Sequence, residues 1–512
     1  MKRISFIIIA CFAVMAMKAQ TVNVKVGKVT YVHRAANVGE MPFAAGSTLT
    51  IEGKVYSVDK SSSATDFIDE IAVGDADVED NTVNIVYSGT TATVTMADNV
   101  MPYVTATVSG AHVTITQTNT AAVDGDEITY VLSGTTTDGG FSLDGSYKCT
   151  VALAGLTLTN PSGAAISISN GKRIQISAKK NTVNTLTDGA GGSQTGCIYS
   201  KGQIQLQGNG TLNVTGKTKH AIKSGDYIRV KNLTLNITSA VKDGINSNEY
   251  FLMESGTVTI SSAGDEGIQC ELDGTSSTGE TTDHEDEDSG NIYIEGGILT
   301  VNAAGEGIES KGELRITGGE VCVTAKDDAI NTASHLTISG GKVYACSTGN
   351  DGIDANGNCY IKGGLVYAIG AREPEVAIDA NTERGYKLYV EGGTIITIGG
   401  LESGASLTQS CYSASSWNKN TWYALTVGND TFAFKTPSSG GNSLVVSGAS
   451  QPTLKSGVTV SGGTSIFGGV GYTDASVSGG SSVSISAYSG GNGGSGGGGW
   501  PGGGGWPGGG WH

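Results

Sequence analysis

The sequence predicts an all-β protein built around a right-handed parallel β-helix, with a β cap at each end. Three observations lead to this prediction: a repeat of about 22 residues, an alternation of apolar and polar positions within it, and a glycine pair that recurs in phase. The composition agrees, since the chain contains 79 glycines among 512 residues and is rich in Thr, Val, Ile and Ser. Short strands joined by turns are therefore expected rather than helices.

The repeat is marked by an isoleucine that recurs between residues 200 and 400. It occupies Ile222, Ile245, Ile268, Ile308, Ile330, Ile353 and Ile378. The successive spacings are 23, 23, 40, 22, 23 and 25 residues, and the long one contains an acidic insertion at 272–289. A unit of this length cannot bury its apolar face alone, so the units are expected to stack as coils of one solenoid. Leucine-rich repeats have a similar period, but their helical segment and leucine consensus are missing here.

Glycine pairs mark a corner in each coil. They are Gly296-Gly297, Gly318-Gly319, Gly340-Gly341, Gly363-Gly364 and Gly392-Gly393. Leu314 and Ile316 alternate with polar residues before one pair, and Val321 and Val323 do so after it. A period of two indicates a strand with one buried face, and glycine provides the positive φ that a tight corner needs.

The N-terminus has the features of a secretory signal peptide, with a positively charged start and an apolar run from Ile4 to Met17. Cleavage is expected near Ala19 or Gln20, and lipidation at Cys11 is the alternative. The run is short for a membrane span, and no later stretch is apolar enough, so no transmembrane segment is expected. The protein is therefore expected to be secreted, periplasmic or held at the cell surface.

Five segments, one of them with an insertion, follow from these patterns. They are a signal peptide at 1–20, an N-terminal β region at 21–125, the β-helix at 126–400 with its acidic insertion at 272–289, a C-terminal β cap at 401–488, and a Gly/Trp/Pro tail at 489–512. The tail cannot bury a core and is expected to be disordered. The insertion carries a run of charges, which is typical of a solvated loop, with metal binding as the alternative.

Charge and cysteine content limit the classes of partner. A net charge of −17 argues against nucleic acid and against anionic lipid, and it is compatible with metal cations. The cysteines that follow the signal peptide lack CxxC spacing, so they indicate neither a zinc site nor a readable disulfide framework. Cys270 and Cys359 fall at inward positions and are expected to be buried. The sequence leaves the oligomeric state open.

Several segments carry a family resemblance. Residues 127–134 (EITYVLSG), 208–214 (GNGTLNV), 242–245 (KDGI) and 264–269 (GDEGIQ) resemble the bacterial pectate-lyase-like carbohydrate-binding domain family. The resemblance covers roughly Val83 to Ala487. It implies a calcium-containing β-helix that binds acidic plant polysaccharide such as polygalacturonate, in a family without an established enzymatic activity as a whole.

Two columns of acids and amides flank the repeating isoleucine. The column two residues before it contains Asp243, Glu266, Glu306, Asp328 and Asp351, with Asp265 and Asp327 beside it. The column just after it contains Asn246, Gln269, Glu309, Asn331, Asp354 and Asp379. Carboxylates on adjacent coils, about 4.8 Å apart, repel by roughly 3.5 kcal/mol at an effective dielectric constant of about 20, so a partly buried column needs a counter-ion. Calcium, which takes six to eight oxygen ligands, is the expected cofactor. The alternative is that these acids cap turns of their own backbone.

Tyr344 and Tyr367 are the candidate sugar-binding residues. Each lies three residues after a glycine pair, on neighbouring coils, so the two rings are expected to form an outward platform on which a sugar could stack. The alternative is cross-coil stacking that only stabilises the sheet.

A lyase activity is the second function considered. Lys242 and Lys326 stand beside acids, and a lysine whose pKa is lowered by a nearby calcium ion could take the α-proton of a uronate. The acids are, however, spread evenly over five coils rather than concentrated in one, which is typical of a structural or multivalent role. A non-catalytic stalk or adhesin of the cell surface is the third possibility.

Overall fold

The structure is a computed structural model that describes residues 21–38, 43–44, 48–58, 67–74, 78–272 and 289–490. Regular structure in these residues is almost entirely β, which confirms the all-β prediction. Three short 3-10 helices, Asp98–Val100, Thr382–Arg384 and Phe467–Gly469, are the exceptions. No helix in this part of the chain is long and apolar enough to cross a membrane. The predicted signal peptide with Cys11, residues 273–288 of the insertion and the tail from residue 491 lie outside the described residues.

The central part of the chain forms three ladders of parallel strands, and the chain contributes one strand to each ladder in turn. One such set of three strands is called a rung. The first ladder, which contains the repeating isoleucines, consists of Ala111–Gln117, Gly139–Gly145, Ile166–Ile168, Gly196–Ser200, His220–Ser224, Ile245–Ser247, Ile268–Cys270, Ile308–Ser310, Ile330–Thr332 and Ile353–Ala355. Single bridges at Ile378 and Leu401 continue it.

The second and third ladders begin on the same two long strands, Ile128–Thr136 and Cys149–Thr159. The second ladder continues with Ile174–Ala178, Ile204–Gln207, Ile228–Lys231, Tyr250–Met253, Asn291–Ile294, Leu314–Ile316, Leu336–Ile338, Cys359–Ile361, Leu388–Val390 and Ser406–Leu407. The third continues with Val183–Thr187, Thr211–Gly216, Leu233–Ala240, Gly256–Ala263, Ile298–Ala303, Glu320–Ala325, Lys342–Ser347, Leu365–Ile369 and Thr394–Ile398.

The isoleucines of the first ladder lie directly opposite one another and form the centre of the core. Ile245 pairs with Ile268, and Ile268 pairs with Ile308 although 40 residues separate them. The register of the first ladder is therefore the same before and after the insertion. Each of these isoleucines is 0% exposed, and burying such a side chain contributes roughly 1.5–3 kcal/mol.

The glycine pairs lie at the corner that leads into the third ladder. Gly341 has a φ of +77°, and a Cβ atom there would lie 2.8 Å from the backbone carbon of Gly318, one rung away. Glycine is required at this corner both for the sign of φ and for the close approach of adjacent backbones. Gly319 and Gly364 repeat this geometry, with φ of +80° and +82°.

The N-terminal region is mainly antiparallel. Its strands are Thr21–Val26, Val29–Arg34, Phe43–Ala44, Thr48–Ile51, Lys54–Ser57, Glu70–Gly74, Thr82–Ser88, Thr91–Ala97 and Val104–Ser109. Parallel pairing begins upstream of residue 126, because Thr82–Ser88 pairs in parallel with Ile128–Thr136 and Ala111–Gln117 with Gly139–Gly145. The first rungs are joined by loops of different length, which hides the period in the sequence.

The C-terminal region ends the parallel stack and then folds back over it. Leu444–Ser447 pairs antiparallel with Thr394–Ile398 and with Cys411–Ala414, which also pairs with Ile485–Tyr488. A separate antiparallel sheet contains Trp422–Val427, Asp430–Lys435, Thr453–Ser461, Thr464–Ile466, Gly471–Thr473 and Ser476–Val483. Side chains of this sheet, among them Phe434, pack against the outer surface of the third ladder.

Candidate functional site: the acid columns of the first ladder

The column that follows the isoleucines is a continuous line of polar side chains. Its members lie opposite one another in consecutive strands, in the order Lys223, Asn246, Gln269, Glu309, Asn331 and Asp354. The spacing in the sequence therefore places these side chains together, one rung apart. The two halves of the column nevertheless differ in how their charges are compensated.

The first half is closed by internal hydrogen bonds. Lys223 donates from Nζ to Oδ1 of Asn246. Asn246 donates from Nδ2 to Oε1 of Gln269 at 2.8 Å, and Gln269 donates from Nε2 to Oε2 of Glu309 at 2.6 Å. Lys311 forms an ion pair with the other oxygen of Glu309. Asn246 and Glu309 thus have internal partners among lysines and amides, and their role as metal ligands stays a prediction.

The second half contains carboxylates that have no lysine or arginine partner among the described residues. Asp354, Asp379 and Glu402 follow one another in the column, because Ile353, Ile378 and Leu401 are bridged in series. Burial raises the pKa of Asp354 to about 7, and the neighbouring Asp379 adds to the shift. Burial and Asp379 likewise raise the pKa of Glu402 to about 7. None of the three carboxylates forms an ion pair among residues 21–272 and 289–490 that the structure describes.

The column before the isoleucines also has buried acids, and these bind backbone. Asp328 accepts at Oδ1 from the backbone N–H of Asp351 at 2.9 Å, and Asp351 accepts at Oδ1 from the N–H of Val376 at 2.6 Å. These acids therefore bind backbone, as the turn-capping alternative predicts. The backbone that each acid binds belongs to the next rung and not to its own turn. Burial raises the pKa of both carboxyls to about 8, with a further contribution to Asp328 from Asp354 and to Asp351 from Asp379.

Three carboxylates come together at the other end of this column. One oxygen each from Asp243, Asp265 and Glu266 lies within 4.8 Å of the others. Asp243 is 1% exposed, and its Oδ2 accepts from Nδ2 of Asn246 at 2.6 Å and lies 3.1 Å from Nδ1 of His220. Its other oxygen, Oδ1, is buried and accepts no hydrogen bond in the described part of the chain. An unsatisfied buried carboxylate oxygen is costly unless a donor or a cation reaches it.

Protonation of this cluster reflects the same crowding. Burial and the adjacent Asp243 carboxylate raise the pKa of Glu266 to about 9. Burial also opposes ionisation of Asp243, but His220 outweighs it, and the pKa of Asp243 is lowered. Burial and the hydrogen bond between the two carboxyl groups therefore favour a proton on Glu266 and ionisation of Asp243.

The two lysines proposed for a lyase reaction differ from that expectation. Nζ of Lys242 lies 3.1 Å from Oδ2 of Asp265, and this hydrogen bond raises the pKa of Lys242. A general base requires the opposite shift. Lys326 is exposed next to Asp327, which is also exposed and accepts from Nδ2 of Asn350 at 2.7 Å.

Glu306 is the remaining predicted ligand, and it lies between the two acid groups of its column. It is half-buried, and burial together with the charges of Glu309 and Asp327 raises its pKa. The predicted metal residues therefore fall into three sets. Asp243, Asp265 and Glu266 form a tight group, buried and half-buried acids of both columns lie near Asp351, and several other members have internal partners.

The predicted tyrosine platform is wrong. Tyr344 and Tyr367 are neighbours in register, but their rings meet edge to face at 65° with centroids 5.3 Å apart. Tyr344 is only 9% exposed and Tyr367 is 0% exposed. The C-terminal sheet covers them, since Tyr367 packs on Phe434 and donates from its hydroxyl to the carbonyl of Lys435 at 3.0 Å. Both side chains belong to the contact between ladder and sheet.

The cysteines in the described residues are all free thiols. Cys270 and Cys359 are 0% exposed, as expected from their inward positions. Burial raises the pKa of Cys270 to about 12, which keeps it in the unreactive thiol form.

Comparison with known proteins assigns this architecture to a class. The model of a family described as carbohydrate-binding domain-containing proteins matches residues 109–309 and 289–465, well over half of the chain. This protein therefore belongs to the carbohydrate-binding domain-containing family. No helix that could span a membrane accompanies the domain in the described residues.

Individual relatives match less of the chain. A carbohydrate-binding domain-containing protein of Acetivibrio thermocellus is 27% identical over 111 residues, which are 20% of this chain and 39% of the relative. The chain thus spans well under half the length of that relative. A solved structure, described as the polysaccharide lyase-like protein from C. thermocellum in a gadolinium derivative, is 21% identical with a TM-score of 0.35, and the match covers 56% of this chain and 93% of that one.

Proposed function

We propose that this chain is an exported protein that binds acidic polysaccharide, of the pectin or polygalacturonate type, through calcium held on a right-handed parallel β-helix. Three parallel ladders, to which the chain contributes strands in turn, support the β-helix. Carbohydrate as the ligand class follows from family membership. Export rests on the signal-like sequence at residues 1–20.

The observation that carries the calcium proposal is the unsatisfied oxygen of Asp243 within a group of three carboxylates. The donor set fits calcium, which prefers carboxylate and carbonyl oxygens in flexible geometry. Asp243, Asp265 and Glu266 would hold the ion, and Glu266 would give up its proton on binding. The ammonium group of Lys242, which forms an ion pair with Asp265, is exposed and can move aside.

A second group suits a cation for a related reason. Asp354, Asp379 and Glu402 are stacked one rung apart with no lysine or arginine paired to them in the described ranges. Burial and the charge of Asp379 raise the pKa values of Asp354 and Glu402, which supports the proposal that these crowded carboxylates bind a positive charge. A divalent ion supplies that charge at neutral pH, and it also offers positive charge to a uronate carboxylate at the surface.

The first experiment is retention of the mature protein on immobilised polygalacturonate, with calcium or with chelator, while absorbance is followed for unsaturated product. Retention that depends on calcium and occurs without product is the expected result. New absorbance would instead identify a lyase, and Lys242→Met and Lys326→Met would then show which lysine takes part. Absence of retention under both conditions would contradict polysaccharide binding and favour a calcium-stiffened stalk or adhesin.

A further inference from the structure

A stacked pair of tyrosines lies on the outer face of the second ladder. Tyr360 and Tyr389 are paired in register on adjacent rungs, and their rings are stacked with centroids 4.9 Å apart and planes 11° apart. Both are partly exposed. The other stacked tyrosine pair of this ladder, Tyr227 and Tyr250, is 0% exposed and cannot reach a ligand.

The positions on either side of the pair leave its outer ring faces uncovered by the column. Thr337 lies opposite Tyr360 on one side, and Ser406 lies opposite Tyr389 on the other. Neither side chain is long enough to cover an aromatic ring. Tyr389 in particular is stacked on Tyr360 through one face and followed by a serine at the other.

The pair is held in place by the turn that precedes it. Asn358 donates from Nδ2 to the hydroxyl of Tyr360 at 3.0 Å, and its Oδ1 accepts from the backbone N–H of Lys387 at 2.9 Å. One amide thus fixes the Tyr360 ring and the strand that carries Tyr389. Aromatic side chains already held in one conformation lose little entropy when a ligand stacks on them.

Two lysines lie beside the tyrosine pair, although the chain as a whole is acidic. Nζ of Lys362 lies 4.9 Å from the centroid of the Tyr360 ring, and Lys387 precedes the strand of Tyr389. Both lysines are exposed, and neither forms an ion pair within the described residues. Glu391 is the acid that follows Lys362 in register, because its N–H binds the carbonyl of Ile361.

We propose that Tyr360 and Tyr389, with Lys362 and Lys387, form a subsite for one uronic acid residue of an acidic polysaccharide. The C–H face of the sugar stacks on the Tyr389 ring, and a lysine ammonium binds the carboxylate. This subsite rests on the proposed polysaccharide binding, and it is the surface that contacts the polysaccharide. This pair lies on the same two rungs as Asp354 and Asp379, around one corner of the stack.

The test compares the affinity of the full chain for a galacturonate oligomer, in the presence of calcium, across single substitutions. Tyr389→Leu is expected to weaken binding about tenfold, since it removes the stacking face. Lys362→Met is expected to weaken it about threefold, and Glu391→Gln to strengthen it by a similar factor because a competing acid is removed. A neutral galactose oligomer should bind the wild type more weakly than the acidic one.

Two substitutions on the C-terminal sheet serve as matched controls. Tyr472→Leu removes another partly exposed tyrosine, which contacts Trp422, and Lys455→Met removes another exposed lysine. Both should leave affinity within about twofold of the wild type. If the wild type binds and Tyr389→Leu behaves like Tyr472→Leu, with Glu391→Gln unchanged, the subsite is wrong while the proposed function stands. If the wild type binds no galacturonate oligomer, both are wrong. The gain from Glu391→Gln is informative even if Tyr389→Leu folds poorly.

Discussion

Asn246 donates from Nδ2 to Oδ2 of Asp243 at 2.6 Å, and this bond orients a carboxylate whose other oxygen is left without a donor in the part of the chain that the structure describes. The same amide nitrogen also reaches Gln269 at 2.8 Å. The closed amide ladder and the open three-carboxylate group are therefore joined at one side chain. Asn246 keeps Asp243 oriented whether or not a cation is bound.

Replacing Asp243 should weaken calcium binding. Asp243→Asn removes the negative charge from the buried oxygen and leaves the side-chain volume unchanged, so calcium affinity should fall at least about tenfold at this group. Titration calorimetry with calcium on chelator-treated protein measures the change. Asp430→Asn, at an exposed position on the C-terminal sheet, is the control and should have no effect. Equal calcium affinity in the two variants would exclude Asp243 as a ligand.

The calcium-free protein should become less stable as the pH rises. An acid whose pKa is higher folded than unfolded binds more protons in the folded state, so stability is lost between the two values. For Asp328 and Asp351 these values are 3.8 unfolded and about 8 folded. The thermal midpoint in chelator should therefore fall by several degrees between about pH 5 and about pH 8.

Calcium and a neutral substitution should both reduce that dependence. Calcium bound by Asp354 and Asp379 should flatten the dependence on pH, because it offsets the charges that raise the pKa values of Asp328 and Asp351. Asp351→Asn should flatten it even in chelator, since the asparagine carries no titrating proton. A thermal midpoint that rises with pH in chelator would contradict the assignment of these acids as buried and uncompensated.

Tyr367 should affect stability and not polysaccharide binding. Tyr367→Phe removes the hydrogen bond to the carbonyl of Lys435 and should lower the free energy of unfolding by about 1 kcal/mol. Tyr367→Ala leaves a cavity beneath the C-terminal sheet and should cost about 3–5 kcal/mol. Denaturant titration measures both. Retention of Tyr367→Phe on polygalacturonate should equal that of the wild type, and a loss of retention would restore a binding role for this side chain.

Substitutions at two glycines distinguish the cost of a positive φ from the cost of steric crowding between rungs. Gly341 and Gly385 have φ of +77° and +87°, but only at Gly341 would a Cβ atom meet neighbouring backbone, at 2.8 Å. Gly385→Ala should therefore cost about 1 kcal/mol from the φ angle alone. Gly341→Ala should cost clearly more, because adjacent rungs must separate. Thermal melts of the two variants give the comparison, and equal losses would show that the rungs can shift without cost.

The central stack of parallel strands could be predicted because its isoleucines recur at a nearly constant spacing in the sequence. Ile268 and Ile308 show the limits of that signal, since the insertion between them had to be recognised before the spacing made sense. Glu402 was missed for a similar reason, because Leu401 replaces the isoleucine in the last rung. A search for any branched apolar residue at that period finds it.

The surroundings of the site were less accessible from the sequence. Lys223 follows Ile222, so its place in the column was visible, but its bond to Asn246 depends on side-chain conformation. Burial of Tyr344 depends on the C-terminal region, where the ring of Phe467, in the 3-10 helix Phe467–Gly469, has its centroid 5.7 Å from that of Tyr344. That contact joins segments more than a hundred residues apart, and no local pattern encodes it.

Antiparallel strands cover ladder edges at which copies of this protein could otherwise pair. A terminal rung of a parallel stack offers unpaired N–H and C=O groups that a second copy could extend into a fibre. Val104–Ser109 occupies that edge of Ala111–Gln117, and Leu444–Ser447 occupies that of Thr394–Ile398. At these two positions the direction of the added strand reverses, so these two edges are occupied by the chain itself and are not open to a second copy.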